Sequence, residues 1–471
     1  MIYTGEYRQF LIEQNKKEYG ADYSSLKFLS QDEQIEATRQ REILLASISD
    51  KINTGYGGTK LFTGQLSPGC IICGEGKWSC LFINGLCNCR CFYCPTRQDE
   101  IDIPTTNTVS FEKAKDYTDY LERFYFTGAS ISGGEPFNTF ENSLNYIKDI
   151  TQRFGDSVHT WLYTNGTLVT KEKLLLLKDA GLKEIRFDIG AIKYNLKKAK
   201  LAVGVIPTVT VEIPAVPEDL ELMKIKLKEM EAAGINHLNL HQLRLTPFNY
   251  SKLVTRNYTY LHGERVTVLE SEITALKLID YSLKHNINLP INYCSFVYKD
   301  RYQKAAARSR NGEMIKKSFH SITQNGYIRY LGASGTLTDI KGLYDIFVSE
   351  HVDEKLYAAT QHFERLYFHP SLLEKIDFSN FSLIIGYEVA SIHHKPTFLA
   401  MFKEIILNPD KKVTIEKKSA ITETELQGDD IEIFKKIVSA ESITSPDLIS
   451  TDKWWHIIKH EFIPSGLQIY Y

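Results

Sequence analysis

The chain has 471 residues, 43% apolar and 24% charged, and its 56 basic and 58 acidic side chains leave a formal net charge of -2. That length can bury a large core and form two or three domains, while the near-neutral balance gives no global field for nucleic acid or an acidic membrane face. No basic-then-apolar leader opens the sequence and no window of about 18 uncharged apolar residues occurs, so a cytoplasmic protein without a membrane partner is expected.

Residues 1–65 are polar and helical in character and close on the glycine-rich NTGYGGTKLFTG, which reads as a connection. From about 79 to 294 short apolar runs alternate with helically spaced segments. CLFING, GASIS, VHTWLYT, EIRFDI, PTVTVEIP, HLNLHQL and LPINYC read as strands, and SFEKAKDYTDYLERF, FENSLNYIKDITQRF and EDLELMKIKLKEMEAAG as helices. Such alternation predicts an α/β fold with parallel pairing, either a (β/α) barrel or an open sheet, with its chemistry at the C-terminal strand ends. After about 300 the alternation stops. KDRYQKAAARSRNGEMIKK predicts a basic helix, followed by a mixed α+β region to the end. The expected division is a helical extension at 1–65, a core with a cysteine-rich entry at 66–300, and an α+β domain at 301–471. The basic residues Lys299, Arg301, Lys304, Arg308, Arg310, Lys316 and Lys317 suit a solvated helix face better than a clamp for a phosphate or carboxylate.

Seven of the eight cysteines fall between 70 and 94, and the eighth is Cys294. A secreted disulfide scaffold spreads its cysteines along a shorter chain, so the cluster points to metal or redox chemistry. In CNCRCFYC, Cys87, Cys91 and Cys94 are spaced C-x3-C-x2-C just after a predicted strand. Three thiolates on such a loop can hold an iron–sulfur cluster and leave one iron open. Zinc is the rival, with Cys89 or an upstream cysteine as fourth ligand.

The pattern C-x3-C-x-aromatic-C, with Tyr93 as the aromatic, resembles the signature of the radical S-adenosylmethionine superfamily. GGEP at the next strand end (Gly133, Gly134, Glu135, Pro136) resembles that superfamily's second motif. The resemblance covers about 79 to 294. It implies an incomplete (β/α) barrel, a 4Fe–4S cluster on Cys87, Cys91 and Cys94, and S-adenosylmethionine chelated at the open iron. It also implies a 5′-deoxyadenosyl radical that abstracts hydrogen from substrate, with electrons from a reductant such as flavodoxin or ferredoxin. Tyr93 is then expected to lend its backbone to the adenine, and the GGEP glycines to let backbone approach the methionine end. At later strand ends Asn165 in TNG, Asp188 in FDIG, Glu212 in VEIP, and Asn239 and His241 in HLNLHQ are candidates for the same cofactor. Alternation puts Asn239 and His241 on one face, and ordinary structural hydrogen bonding is the alternative for each of these. Cys89 is expected to stay off the cluster, because that position varies within the superfamily.

Upstream, SPGCIICGEGKWSC holds Cys70 and Cys73 at ligand spacing, with Cys80 read as a small buried hydrophobe. With Cys294 at the end of the last strand, Cys70 and Cys73 can hold an auxiliary cluster or zinc, remain free thiols, or form a redox disulfide. SPGCxxC followed by CFYCP, with HLNLHQL and YCSFVYKDRYQ later, is similar to a mainly archaeal group related to pyruvate formate-lyase activating enzymes. Cys80 and the long C-terminal region depart from that group, and no ferredoxin-like C-x2-C-x2-C-x3-C insertion is present. The expected function is therefore a radical S-adenosylmethionine enzyme. The alternatives are an activase that places a radical on a partner protein, and a zinc-stabilised binding module.

Overall fold

The computed structural model describes residues 5–440 and 454–471. The chain forms two compact units, one of 8–303 with 465–471, the other of 304–464 with the start of the chain.

In the first unit, β1 (Lys60–Phe62) precedes seven strands: β2 (Trp78–Asn84), β3 (Gly128–Gly133), β4 (His159–Thr164), β5 (Glu184–Phe187), β6 (Thr208–Pro214), β7 (His237–His241) and β8 (Ile291–Cys294). Strands β2 to β8 pair in sequence order, each parallel to the next. These are the seven runs read from sequence, in that order. Among the described residues β2 and β8 do not pair, so the α/β sheet stays open, as an incomplete barrel requires. Short antiparallel strands cover both edges, β1 along β8 and Thr105–Thr106 along β2. Such short flanking strands blunt the sheet edges against pairing with another chain.

Helices α1 (Gly5–Tyr19), α2 (Gln31–Ile48) and α3 (Pro68–Gly74) lead in, and α4 (Ala114–Arg123), α5 (Phe140–Phe154), α6 (Lys171–Asp179), α7 (Lys197–Ala202), α8 (Leu220–Ala232) and α9 (Leu269–Lys284) lie between strands. Their apolar residues recur at helical spacing. In α4 Tyr117, Tyr120 and Leu121 are buried together, with Phe124 just beyond. Ser30 and Glu33 close a reciprocal capping box at the start of α2. With strands covered on both faces, β5 is buried along its whole length.

The second unit opens with α10 (Lys304–Ile315) and carries an antiparallel sheet. Its strands are β9 (Ile328–Ser334), β10 (Tyr357–Ala359), β11 (Arg365–Phe368), β12 (Ser382–His393), β13 (Met401–Asn408) and β14 (Lys411–Ser419), in the order β10-β11-β9-β12-β14-β13. Leu331, Phe347, Phe368, Ile385, Tyr387 and Phe434 belong to its core. Among the described residues no helix is long and apolar enough to cross a membrane.

Two stretches differ from the sequence reading. NTGYGGTKLFTG is a hairpin rather than a connection: Asn53–Gly55 pairs with β1, and β1 pairs with β8. The alternation of apolar residues there is only three residues long, too short to stand out beside four glycines. The basic stretch after 298 is not one solvated face either. Lys299–Gln303 is a π-helical turn of the first unit, where Arg301 is buried on Glu264.

Ile185 sits on β5, the middle strand of the seven, fully buried. Ile185→Ala should lower the unfolding free energy by about 2–5 kcal/mol, read as a reduced denaturant midpoint with an unchanged slope.

Candidate active site

The cysteine loop leaves the end of β2 and is tied back by the Cys87 N–H to the Gln98 carbonyl and by the Cys94 N–H to the Cys91 carbonyl. Cys87 Sγ accepts from the Cys89 N–H at 3.4 Å and from Asn165 Nδ2 at 3.8 Å. Cys89 differs, since its thiol donates to the Ala191 carbonyl. Burial pushes the Cys87 thiol up, Cys89 to about 11 and Cys91 to about 12. Cys87, Cys91 and Cys94 all line one cavity of about 620 Å³, and Cys89 lines it with them. Cofactor sites run to about 300–1,000 Å³.

GGEP holds this loop against the sheet. A Cβ on Gly133 would lie 2.2 Å from the Asn84 carbonyl oxygen, and one on Gly134 the same distance from that of Leu86. Both obstacles are backbone. Gly133 also has φ of 132°, which side chains rarely adopt. The glycines thus admit the start of the cysteine loop, while their other side lines the cavity together with Pro136. Glu135 points away from it. Fully buried, it accepts from Thr164 Oγ1 (2.8 Å), Asn165 N–H (2.7 Å) and Phe137 N–H (3.1 Å), which joins the ends of β3 and β4.

Beyond β4 lies a floor of charges. Glu184 and Arg186 alternate along β5, and Asp188 follows at its end. Arg186 Nε donates to Glu184 (2.8 Å), Nη1 to Glu212 on β6 (2.7 Å) and Nη2 to Ser67 Oγ (3.2 Å). His241 on β7 lies 2.7 Å from Glu212 through Nε2 and 2.7 Å from Lys299 Nζ through Nδ1. An ammonium only donates, so Nδ1 accepts and Nε2–H donates to the carboxylate. Burial first, then Lys299, lowers the His241 pKa, which keeps the ring neutral. Burial opposes ionisation of Glu212, but Arg186 and His241 hold its carboxyl well below the usual range. The resulting row Lys299–His241–Glu212–Arg186–Glu184 carries two positive and two negative charges. Arg186, Asp188, Glu212, His241 and Lys299 line the cavity. Burial pushes the Asp188 carboxyl up to about 6, and the Tyr93 hydroxyl donates to it at 2.8 Å.

Of the candidates read from sequence, Cys87, Cys91, Cys94, Tyr93, Gly133, Gly134, Pro136, Asn165, Asp188, Glu212 and His241 share this cavity. Glu135 and Asn239 do not line it. Asn239, on the same face as His241, donates to Glu212 and to Cys70 Sγ. Cys70, Cys73 and Cys294 lie apart from this cavity, near the buried Lys60, whose Cα pairs in register with that of Cys294. Among the described residues, no three or more His, Cys, Asp or Glu side chains converge on the position of one metal ion, the arrangement a structural zinc needs. Arg186, Glu184 and Tyr163 escaped sequence reading as site residues, and Lys299, read on a solvated basic face, instead lines the cavity. EIRFDI reads as an apolar run, although its charges at every second position mark one face of a strand.

Residues 81–200 match the Radical SAM superfamily. A protein of Methanocaldococcus jannaschii, provisionally named a glycyl-radical enzyme activating enzyme, is 29% identical over 302 residues, 61% of this chain and 79% of that protein. Among solved structures, Streptococcus suis SuiB bound to S-adenosylmethionine overlaps 69% of this chain and 70% of its own, at 16% identity and a TM-score of 0.36. Methylornithine synthase overlaps 62% and 85%, at 11% identity and a TM-score of 0.32.

Because backbone, not a movable side chain, meets the added methyl group, Gly134→Ala should displace the cysteine loop. The expected result is a folded protein by circular dichroism with a lowered Tm, whose Cys87, Cys91 and Cys94 thiols react faster with a thiol-modifying reagent than those of the parent.

Proposed function

We propose that this chain, an enzyme of the radical SAM class by its superfamily domain, holds a four-iron cluster on Cys87, Cys91 and Cys94 and S-adenosylmethionine in the cavity beside them. The observation that carries the reading is the meeting of three loop thiols, the Gly133–Gly134 backbone and the Asp188 carboxylate on one cavity at the C-terminal ends of parallel strands. When bound, the reduced cluster supplies the electron that cleaves the sulfonium carbon–sulfur bond and yields a 5′-deoxyadenosyl radical. The chain's own residues bind and orient. Three cysteines leave one iron open for chelation. The Gly133–Gly134 turn brings backbone to the cavity wall without a side chain. Asp188, aimed by the Tyr93 hydroxyl, accepts from the ribose hydroxyls. The balanced row from Lys299 to Glu184 gives the floor fixed dipoles, so solvent need not enter to neutralise it. Substrate takes the remaining space near Phe296 and Lys299. Electrons come from a one-electron reductant such as flavodoxin or ferredoxin.

A second reading is favoured by the archaeal relative's name: the hydrogen donor is the backbone of a partner protein rather than a small molecule. In that case S-adenosylmethionine is cleaved slowly until the partner is added.

Anaerobically reconstituted, reduced protein should convert S-adenosylmethionine to 5′-deoxyadenosine and methionine, measured by chromatography. The variant Cys87→Ala/Cys91→Ala/Cys94→Ala should make none and hold about four irons fewer, as befits one four-iron cluster. A variant that keeps its iron and its cleavage would sink the assignment.

Asp188 adds a pH dependence with two signs. Its carboxyl is raised to about 6 in the folded chain, so ionisation is disfavoured there. The folded state therefore loses stability as pH rises from the unfolded value near 4 through 6. At pH 8 Asp188→Asn should stabilise the unloaded protein by up to about 2 kcal/mol, seen as a raised Tm. The same variant should weaken S-adenosylmethionine binding at least tenfold, because the acceptor charge is gone. In the parent, binding should fall off as pH drops through 6.

A further inference from the structure

The second cluster of sulfurs lies outside the cavity and is unused by the chemistry above. We propose that Cys70, Cys73 and Cys294 hold a second iron–sulfur centre, whose negative charge is balanced by Lys60.

The first argument is hydrogen-bond direction. Glu212, a carboxylate gripped by Arg186, can only accept, so the Asn239 group 2.9 Å from it is the NH2. That NH2 also lies 3.2 Å from Cys70 Sγ. Asn239 Oδ1 then accepts from Asn292 Nδ2 at 3.0 Å, which fixes the second amide, and Asn292 Nδ2 lies 3.7 Å from Cys70 Sγ. On Cys73 Sγ converge Gln303 Nε2 and the Tyr298 hydroxyl, the latter at 3.8 Å. A thiol needs an acceptor for its own proton. These sulfurs are met by three amide donors and a phenol, the surroundings of an anionic sulfur and the kind of outer-shell bonds that tune metal-bound thiolates.

The second argument is charge. Lys60 is 1% exposed and its Cα is paired in register with that of Cys294. Its Nζ sits 4.2 Å from the centre of the Tyr298 ring and 5.9 Å from that of Tyr56. Among the described residues no carboxylate pairs with it. A buried ammonium without a counter-charge is costly, so the chamber calls for negative sulfur. A coordinating thiol gives up its proton to solvent outright.

The third argument concerns which metal. Among the described residues, neither this trio nor Cys87, Cys91 and Cys94 converges on a single-ion position. A zinc ion needs its sulfurs about 2.3 Å from one point, whereas a cluster spreads its thiolates over separate irons. Cys70 and Cys73 share a face of α3, which Ser67 caps and Arg186 anchors, and Cys294 arrives from the end of β8. The three therefore come together only in the folded chain.

The test is iron counting in full-length protein reconstituted anaerobically with iron and sulfide. Cys87→Ala/Cys91→Ala/Cys94→Ala should still bind about four irons with acid-labile sulfide and absorb near about 400 nm, because its second centre remains. Cys70→Ser/Cys73→Ser should bind about four fewer than the parent and still cleave S-adenosylmethionine. Lys60→Met should shift the second centre's midpoint potential to more negative values in an EPR-monitored titration, since a positive neighbour favours the reduced form. A colourless first variant with native circular dichroism overturns the proposal, as does one that takes up zinc instead. With the parent still holding four irons, that result leaves the catalytic reading intact.

Discussion

One guanidinium organises the interior of the first unit. Arg186 is 3% exposed and spends its donors on Glu184, Glu212 and Ser67, each on a different element. Removing one partner of such a buried set leaves an uncompensated charge, far costlier than losing a surface pair. Arg186 therefore holds β5, β6 and the start of α3 in one relative position. The packing around it is equally constrained: a Cβ on Gly69 would meet Arg186 Nη2 at 2.4 Å and Glu184 Oε2 at 2.8 Å, so only glycine lets α3 settle over the pair. The Gly69 N–H uses the same closeness to donate to Glu184. Cys70, the next residue, inherits its place from this contact.

The fold was legible wherever residue pattern and burial agree. The seven strand runs stand out because each carries a set of buried apolar residues on a parallel sheet. Helices α4, α5 and α8 were legible from spacing alone. Two things were hidden. Lys60 belongs to a three-residue strand inside a glycine-rich stretch, where periodicity has no room to appear. Arg186 and Glu184 sit among apolar neighbours in EIRFDI, and only their spacing of two, continued by Asp188, marks a polar interior face.

The candidate site was legible as a list of residues but not as a division of labour. GGEP is contiguous in sequence, yet its members do different things. The glycines clear space for the backbone of residues 84–86, Pro136 faces the cavity, and Glu135 turns inward to join the ends of β3 and β4. HLNLHQ splits in the same way. Alternation correctly puts Asn239 and His241 on one face, but a strand face is long enough to serve two chambers. His241 reaches Glu212 from the cavity, and Asn239 reaches it from the sulfur chamber.

That shared carboxylate couples the two chambers. Glu212 Oε1 accepts from His241 Nε2–H and Oε2 accepts from Arg186 Nη1 and Asn239 Nδ2, while the other contact of the Asn239 amide is Cys70 Sγ. In a low-dielectric interior a hydrogen-bonded chain polarises along its length, so charge added at one end strengthens or weakens bonds at the other. Under the second-centre proposal, negative charge at Cys70 would draw on the Asn239 donor and leave Glu212 more dependent on His241 and Arg186, so the charge state at the sulfurs would reach Lys299 at the cavity wall through one hydrogen-bonded chain.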